Sequence, residues 1–226
     1  MKKFLLLFLL IAKTAFAVTA TDNFNRANED PLSGGGSWLQ EFDISNTNLR
    51  IVSNSVQLSN VGNSCFYYNG ISPGADQFSE VKLSTVTSNG FNGVALLVRA
   101  VTGTGGTYMA RVYFNNGSFY SQDFLVYTTS SGYTVLDTGF ASWAQGDTAK
   151  FVVSGTTNPV LSLYQNGSLV ETYTDTSGTL TFGKPGVCLA ADTNTADIQV
   201  DDWRGGDGDG TTTPPAAVVR HKPIIQ

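Results

Sequence analysis

Glu41-Phe42-Asp43-Ile44 sets two carboxylates two residues apart, which a strand would turn to one face. That is the opening of a glycoside-cleaving arrangement, in which one carboxyl attacks or assists and a second protonates the leaving group. A further Glu to act as the acid is missing beyond this pair, because Ser45, Asn46 and Thr47 follow. The pair therefore reads as part of a solvated edge strand. Histidine occurs once, at His221 in the tail, so neither a Ser-His-Asp nor a Cys-His arrangement can be assembled. The Gly-rich run at 103–107 lacks the Lys-Ser/Thr and following helix of a phosphate cradle.

Binding chemistry is better represented. If Val94, Leu96 and Val98 face a core, Arg99 faces out near the end of its strand. Either Tyr108 or the pair Arg111 and Tyr113 then joins it, depending on register, with Gln122 and Asp123 on the next strand. Trp143 lies just before the segment AKFVVSG. Aromatic rings stacked on sugar faces, with Arg, Asn and Asp bonding hydroxyls, would make a shallow glycan site. Each of these side chains also has a bland reading, as a packed ring or a paired ion.

Cys65 and Cys188 stand in apolar, strand-like runs, SCFYYN and GVCLAAD. In an exported chain they form either a disulfide or two buried thiols on strands that never meet.

The elements that must position these residues are strands. Segments rich in β-branched and aromatic residues recur: Trp38–Phe42, Leu49–Val52, Ser55–Leu58, Cys65–Tyr68, Phe78–Ser84, Gly93–Ala100, Tyr108–Phe114, Phe119–Tyr127, Tyr133–Leu136, Ala149–Ser154, Val160–Tyr164, Leu169–Tyr173, Val187–Ala191 and Ile198–Trp203. Their spacing, with turn residues between, predicts a sandwich or barrel and not βαβ units. Asn116-Gly117 and Asn166-Gly167 predict type I′ hairpins, and Asn54-Ser55 a weaker third turn. Both Asn-Gly pairs are also N-glycosylation sequons. Phe151 and Val153 alternate with Lys150, Val152 and Ser154, as Val81 and Leu83 do with Glu80 and Lys82. GVALLVRA is apolar on both faces, the pattern of a central strand covered on each side.

The ends differ from the middle. Lys2 and Lys3, an apolar run from Phe4 to Ala12 and Ala15-Phe16-Ala17 are the parts of a secretory signal over 1–17, cleaved near Ala17. Lys13 cuts the run too short for a membrane span. Residues 18–206 are expected to form one domain. Residues 207–226, Gly/Asp then Thr/Pro then basic-apolar, are expected to form a flexible tail. Losing Lys2, Lys3 and Lys13 takes the formal charge from −5 to −8, with 10 basic against 18 acidic residues. The lack of any basic cluster argues against nucleic acid or anionic lipid as a partner. A secreted or periplasmic chain of undetermined oligomeric state is expected.

Several stretches resemble, in order, the concanavalin A-like lectin/glucanase domains, laminin-G-like modules included. These are Asp22-Asn23-Phe24-Asn25-Arg26-Ala27 with GGGSW at 34–38, GVALLVRA, YMARVYF, AKFVVSG, LSLYQNGSLV, GVCLAAD and IQVDDW. The resemblance spans about residues 20–204. It implies an all-β, two-sheet antiparallel jelly-roll β-sandwich whose first strand, near Phe24, lies beside the last, near Val200. It further implies a structural calcium, with Asp22 and Asp202 as candidate ligands and Asp201, Asp207 and Asp209 nearby. Laminarinase-like members carry a complete carboxylate strand, which Glu41/Asp43 does not provide. Alginate-lyase-like members need an Arg-x-Glu strand and a histidine; no Arg-x-Glu occurs here, and no histidine lies between Ala17 and Arg220. Tyr113, Tyr120 and Gln122 echo only their Tyr-rich strand. The expected function is a non-catalytic, lectin-like module for a polysaccharide or surface glycan. A structural or adhesion subunit is the alternative, and a divergent hydrolase or lyase a third reading.

Overall fold

A computed structural model of the chain describes residues 17–43, 47–87, 90–101, 106–115, 119–128, 131–178 and 180–208. The expected signal core, the Asn116-Gly117 turn, the sequence beyond Gly208 and the side chains of Phe42, Asp43 and Tyr120 lie outside the described residues.

Strands dominate the described residues, as the turn-punctuated β-branched sequence requires. In chain order they are β1 (Thr19–Asp22), β2 (Trp38–Asp43), β3 (Leu49–Val52), β4 (Ser55–Leu58), β5 (Gly62–Tyr68), β6 (Gln77–Val86), β7 (Phe91–Val101), β8 (Gly106–Asn115), β9 (Phe119–Thr128), β10 (Gly132–Phe140), β11 (Thr148–Ser154), β12 (Val160–Gln165), β13 (Ser168–Thr174), β14 (Lys184–Ala191) and β15 (Ile198–Asp207). Among the described residues one 3₁₀ turn occurs, Gly34–Gly36, just before β2.

All pairing is antiparallel, in two sheets. One runs β13-β12-β11-β6-β15-β4-β3, with β1 also on β15, and the other runs β10-β9-β8-β7-β14-β5-β2. This is the expected jelly-roll sandwich. The first and last strands are neighbours, through Asp22↔Trp203 to Thr19↔Gly206.

The predicted alternation holds at the core. Phe151, Val153, Val81 and Leu83 are fully buried between the sheets. Val94, Leu96 and Val98 join them from β7. Leu97 and Ala95 point the other way, into a second apolar cluster with Cys65, Cys188, Met109 and Leu125 on the outer face of the seven-stranded sheet. That accounts for the two-sided apolar pattern of GVALLVRA. At one end Trp38, Tyr68 and Trp203 interlock, with Trp203 ring centroids 4.7 Å from Trp38 and 5.1 Å from Tyr68.

The β12–β13 hairpin turns on Asn166 and Gly167 at φ of 50° and 81°, as Asn-Gly chemistry dictates. The third turn differs by one residue. Its central pair is Ser53-Asn54, at φ of 51° and 65°, and Ser55 already opens β4. Asparagine tolerates the left-handed conformation, and it occupies the second central position instead of the first.

Candidate functional site

The sequence assembled its candidate site from seven side chains, and the structure divides them. Arg111, Tyr113 and Asp123 come together on the outer face of the seven-stranded sheet. Arg99, Tyr108, Gln122 and Trp143 do not, and all four are buried.

Arg99 is the clearest correction. Strict alternation would turn it outward, but the β7–β8 register breaks between Val98 and Val101 and Arg99 takes φ of 54°. The chain twists locally and the side chain goes in. Its Nε, Nη1 and Nη2 donate to the carbonyls of Ala75, Leu180 and Gly155 at 2.8, 2.6 and 2.6 Å. Gly183 allows the close approach, at φ of 139° with a Cβ position only 2.3 Å from the Arg99 carbonyl carbon. Burial lowers the Arg99 pKa, partly offset by Tyr108 and Asp76. Arg99 is a clamp on three loops.

Tyr108 faces the core, its hydroxyl donating to Asp175 Oδ2 at 2.7 Å. Trp143 is no stacking platform, because its Nε1 donates to Gln122 Oε1 at 2.9 Å inside the sandwich.

The register Arg111↔Asp123 sets that pair directly opposite on β8 and β9. Arg111 Nε and Nη2 donate to Oδ1 and Oδ2 of Asp123 at 2.9 and 2.6 Å, a two-pronged ion pair. Tyr113 donates to the same Oδ2 at 3.2 Å. The guanidinium sits 4.7 Å from the Tyr113 ring centroid and 5.9 Å from that of Tyr133, within cation–π range. Burial opposes its charge, but bonding and attraction to Asp123 carry the net pKa shift upward. Burial first, then Asp123, raises the Tyr113 pKa, and burial pushes Tyr133 up to about 12. Both phenols keep their protons at neutral pH.

These residues flank a recess of about 120 Å³ whose lining includes Phe91, Ala95, Met109, Arg111, Tyr113 and Tyr133. Cys65 and Cys188, directly opposite in the β5–β14 register, are joined as a disulfide and complete the floor. Of the two alternatives the sequence left open, the bridge is the one realised. Phe91, Met109 and Tyr133 were not singled out from sequence. Strand alternation around Arg111 and Tyr113, once the register is known, would have found Met109.

Two carboxyls stand apart from this recess. Burial raises the Glu41 pKa to about 7, and its Oε2 has no hydrogen-bond partner. Glu171 also rises to about 7, through burial first and then Asp137 and Asp123, with Gln122 offsetting part. Glu41 is on β2, at one end of the seven-stranded sheet, and Glu171 on β13 of the other sheet, which touches β10 at the opposite end; the six strand spacings from β2 to β10 span roughly 29 Å. They cannot serve one glycosidic bond.

The calcium expectation meets a poor fit. Asp22 and Asp202 line one recess, but both Asp22 oxygens are engaged. Oδ1 accepts from Phe24 N and Arg26 Nη1, and Oδ2 from Trp38 Nε1. A guanidinium 2.7 Å from the carboxylate occupies the place of a cation. Among the described residues no three His, Cys, Asp or Glu side chains gather as a metal set.

No family model and no curated protein matches the chain. Solved structures do. The carbohydrate-binding module CBM66 from Bacillus subtilis aligns at TM-score 0.53 and 16% identity, over 74% of this chain and 91% of that one. LamA from Z. galactanivorans, in complex with laminaritriose and laminaritetraose, aligns at 0.53 and 10%, over 84% and 98%. A galectin-like protein of unknown function from Bacillus subtilis aligns at 0.51 and 13%, over 80% and 94%. Likeness at such identities is a likeness of fold, and the chain is a jelly-roll sandwich of the concanavalin A-like kind.

Proposed function

We propose that this protein is an extracellular, non-catalytic module that binds a glycan in the recess floored by Cys65–Cys188 and walled by Arg111, Tyr113 and Tyr133. The observation that carries the reading is Arg111 itself. Asp123 fixes it in orientation and two phenol rings flank it, while its side chain keeps 28% of its surface in contact with solvent. A pre-oriented donor beside aromatic faces and an apolar floor suits a sugar, which presents a C–H face and polar edges. Carbohydrate-binding and laminari-oligosaccharide-bound proteins among the fold's relatives support the same reading. The separation of Glu41 from Glu171, and the confinement of histidine to position 221, support binding without turnover. Among the described residues no helix is long and apolar enough to cross a membrane.

The test is titration calorimetry of the intact protein against a panel of soluble polysaccharides, with reducing-end release followed in parallel. Binding weakened at least tenfold by Arg111→Gln, without release, is expected. No binding at millimolar ligand would overturn the reading.

A further inference from the structure

The recess has a chemical bias that narrows its ligand. Asp123 takes the Nε/Nη2 edge of Arg111 and uses both of its oxygens doing so. That leaves the guanidinium's other edge, Nη1 with the second Nη2 hydrogen, turned to donate. Tyr113 spends its hydroxyl hydrogen on Asp123 and so contributes its ring face, which lies 4.9 Å from the Phe91 ring. Among the described residues no carboxylate lines the recess, and its floor is Ala95, Met109 and the cystine.

Such a recess wants an acceptor joined to a small apolar group. A plain hydroxyl is a poorer occupant, because an O–H seated on Ala95, Met109 and the cystine has no acceptor in those three groups, Asn63 and the tyrosine hydroxyls being the acceptors elsewhere in the lining, and an unmet donor costs more than a made bond returns. A carboxylate or sulfate is also disfavoured. Asp123 already neutralises Arg111, and a formal charge of −8 without residues 1–17 repels anions.

Resting on the glycan reading above, we propose that the recess recognises the acetamido group of an N-acetylhexosamine. The carbonyl oxygen accepts from Arg111, and the methyl packs on Ala95, Met109 and Cys65–Cys188.

The experiment titrates the intact protein with the methyl glycosides of N-acetylglucosamine, N-acetylgalactosamine, glucose, galactose and glucuronate, and with chitin- and cellulose-derived oligosaccharides of equal length. At least one acetamido sugar is expected to bind tenfold or more tightly than its hydroxyl counterpart. Saturation-transfer NMR is expected to show the acetyl methyl as the most strongly saturated ligand group. Ala95→Met, which fills the floor, is expected to erase the preference while thermal stability is kept. Equal or tighter binding of glucose, galactose or glucuronate, or saturation centred on ring protons, overturns the inference but leaves the glycan reading standing. If no saccharide in this panel or among the polysaccharides binds, both fall.

Discussion

Arg111 and Asp123 are cross-strand neighbours, and their alignment gives the outer face of the sheet a fixed donor. Asp123 keeps only 8% of its side-chain surface exposed, against 28% for Arg111, so the acid is the buttress and the base the presented group. Asp123→Asn removes the charge that holds the fork. It is expected to weaken glycan binding about tenfold and to cost about 1–3 kcal/mol of stability, read by calorimetry and urea denaturation. Asp123→Ala should be worse on both counts.

Arg99 behaves oppositely. Arg99→Met leaves the carbonyls of Ala75, Gly155 and Leu180 without their donor and should cost about 1–3 kcal/mol. Affinity in the recess should be unchanged wherever the variant is still folded. A loss of affinity at full folding would place Arg99 back in the binding surface.

The Cys65–Cys188 bridge closes a separation of 123 residues. The chain-entropy model puts its removal at about 4–5 kcal/mol. Cys65→Ala with Cys188→Ala should lower the urea midpoint accordingly and, by removing the recess floor, reduce affinity as well. Ellman titration of the unfolded wild type should find no free thiol.

Glu41 and Glu171 make stability fall with rising pH. Each has a folded pKa near 7 against an ordinary 4.5, so each holds its proton more tightly when folded. The resulting stability is whole below pH 4.5 and is lost as pH rises through 7. With the discount that solvent screening imposes on partly exposed groups, about 1 kcal/mol each is expected. The melting temperature should drop from pH 5 to pH 8, and Glu41→Gln or Glu171→Gln should each flatten that slope. An unchanged slope in both variants would contradict the burial argument.

Asp22 ties Phe24, Arg26 and Trp38 together. Asp22→Ala should cost about 2–3 kcal/mol. Because Arg26 already supplies the cation, EDTA or added calcium should leave the melting temperature unchanged. A rise with calcium that Asp22→Asn or Asp202→Asn removes would reinstate the metal.

Much of this was legible in the residues. Alternation in SEVKLS and AKFVVSG located the core faces, and Asn166-Gly167 gave its hairpin, because both depend on local periodicity and backbone preference. The cross-strand meeting of Cys65 and Cys188 was not legible, since pairing between distant strands is fixed by topology. Arg99 was misplaced because one register break reverses every inference from alternation beyond it. Tyr108 belonged to one of two registers left open, and the other, with Arg111 and Tyr113 outward, is the one realised; Gln122 and Trp143 were placed by position alone, beside Asp123 and before AKFVVSG. Inside, each polar tip finds a partner: Asp175 for Tyr108, and one another for Gln122 and Trp143.

The most direct test of the binding surface is an amide chemical-shift map of the intact protein with a saturating glycan hit. Perturbations should gather on Gly93–Ala95, Met109–Tyr113 and Cys188–Ala190, around Arg111. Perturbations gathered on β6, β11 and β15 of the other sheet, with Arg111 untouched, would contradict the assignment.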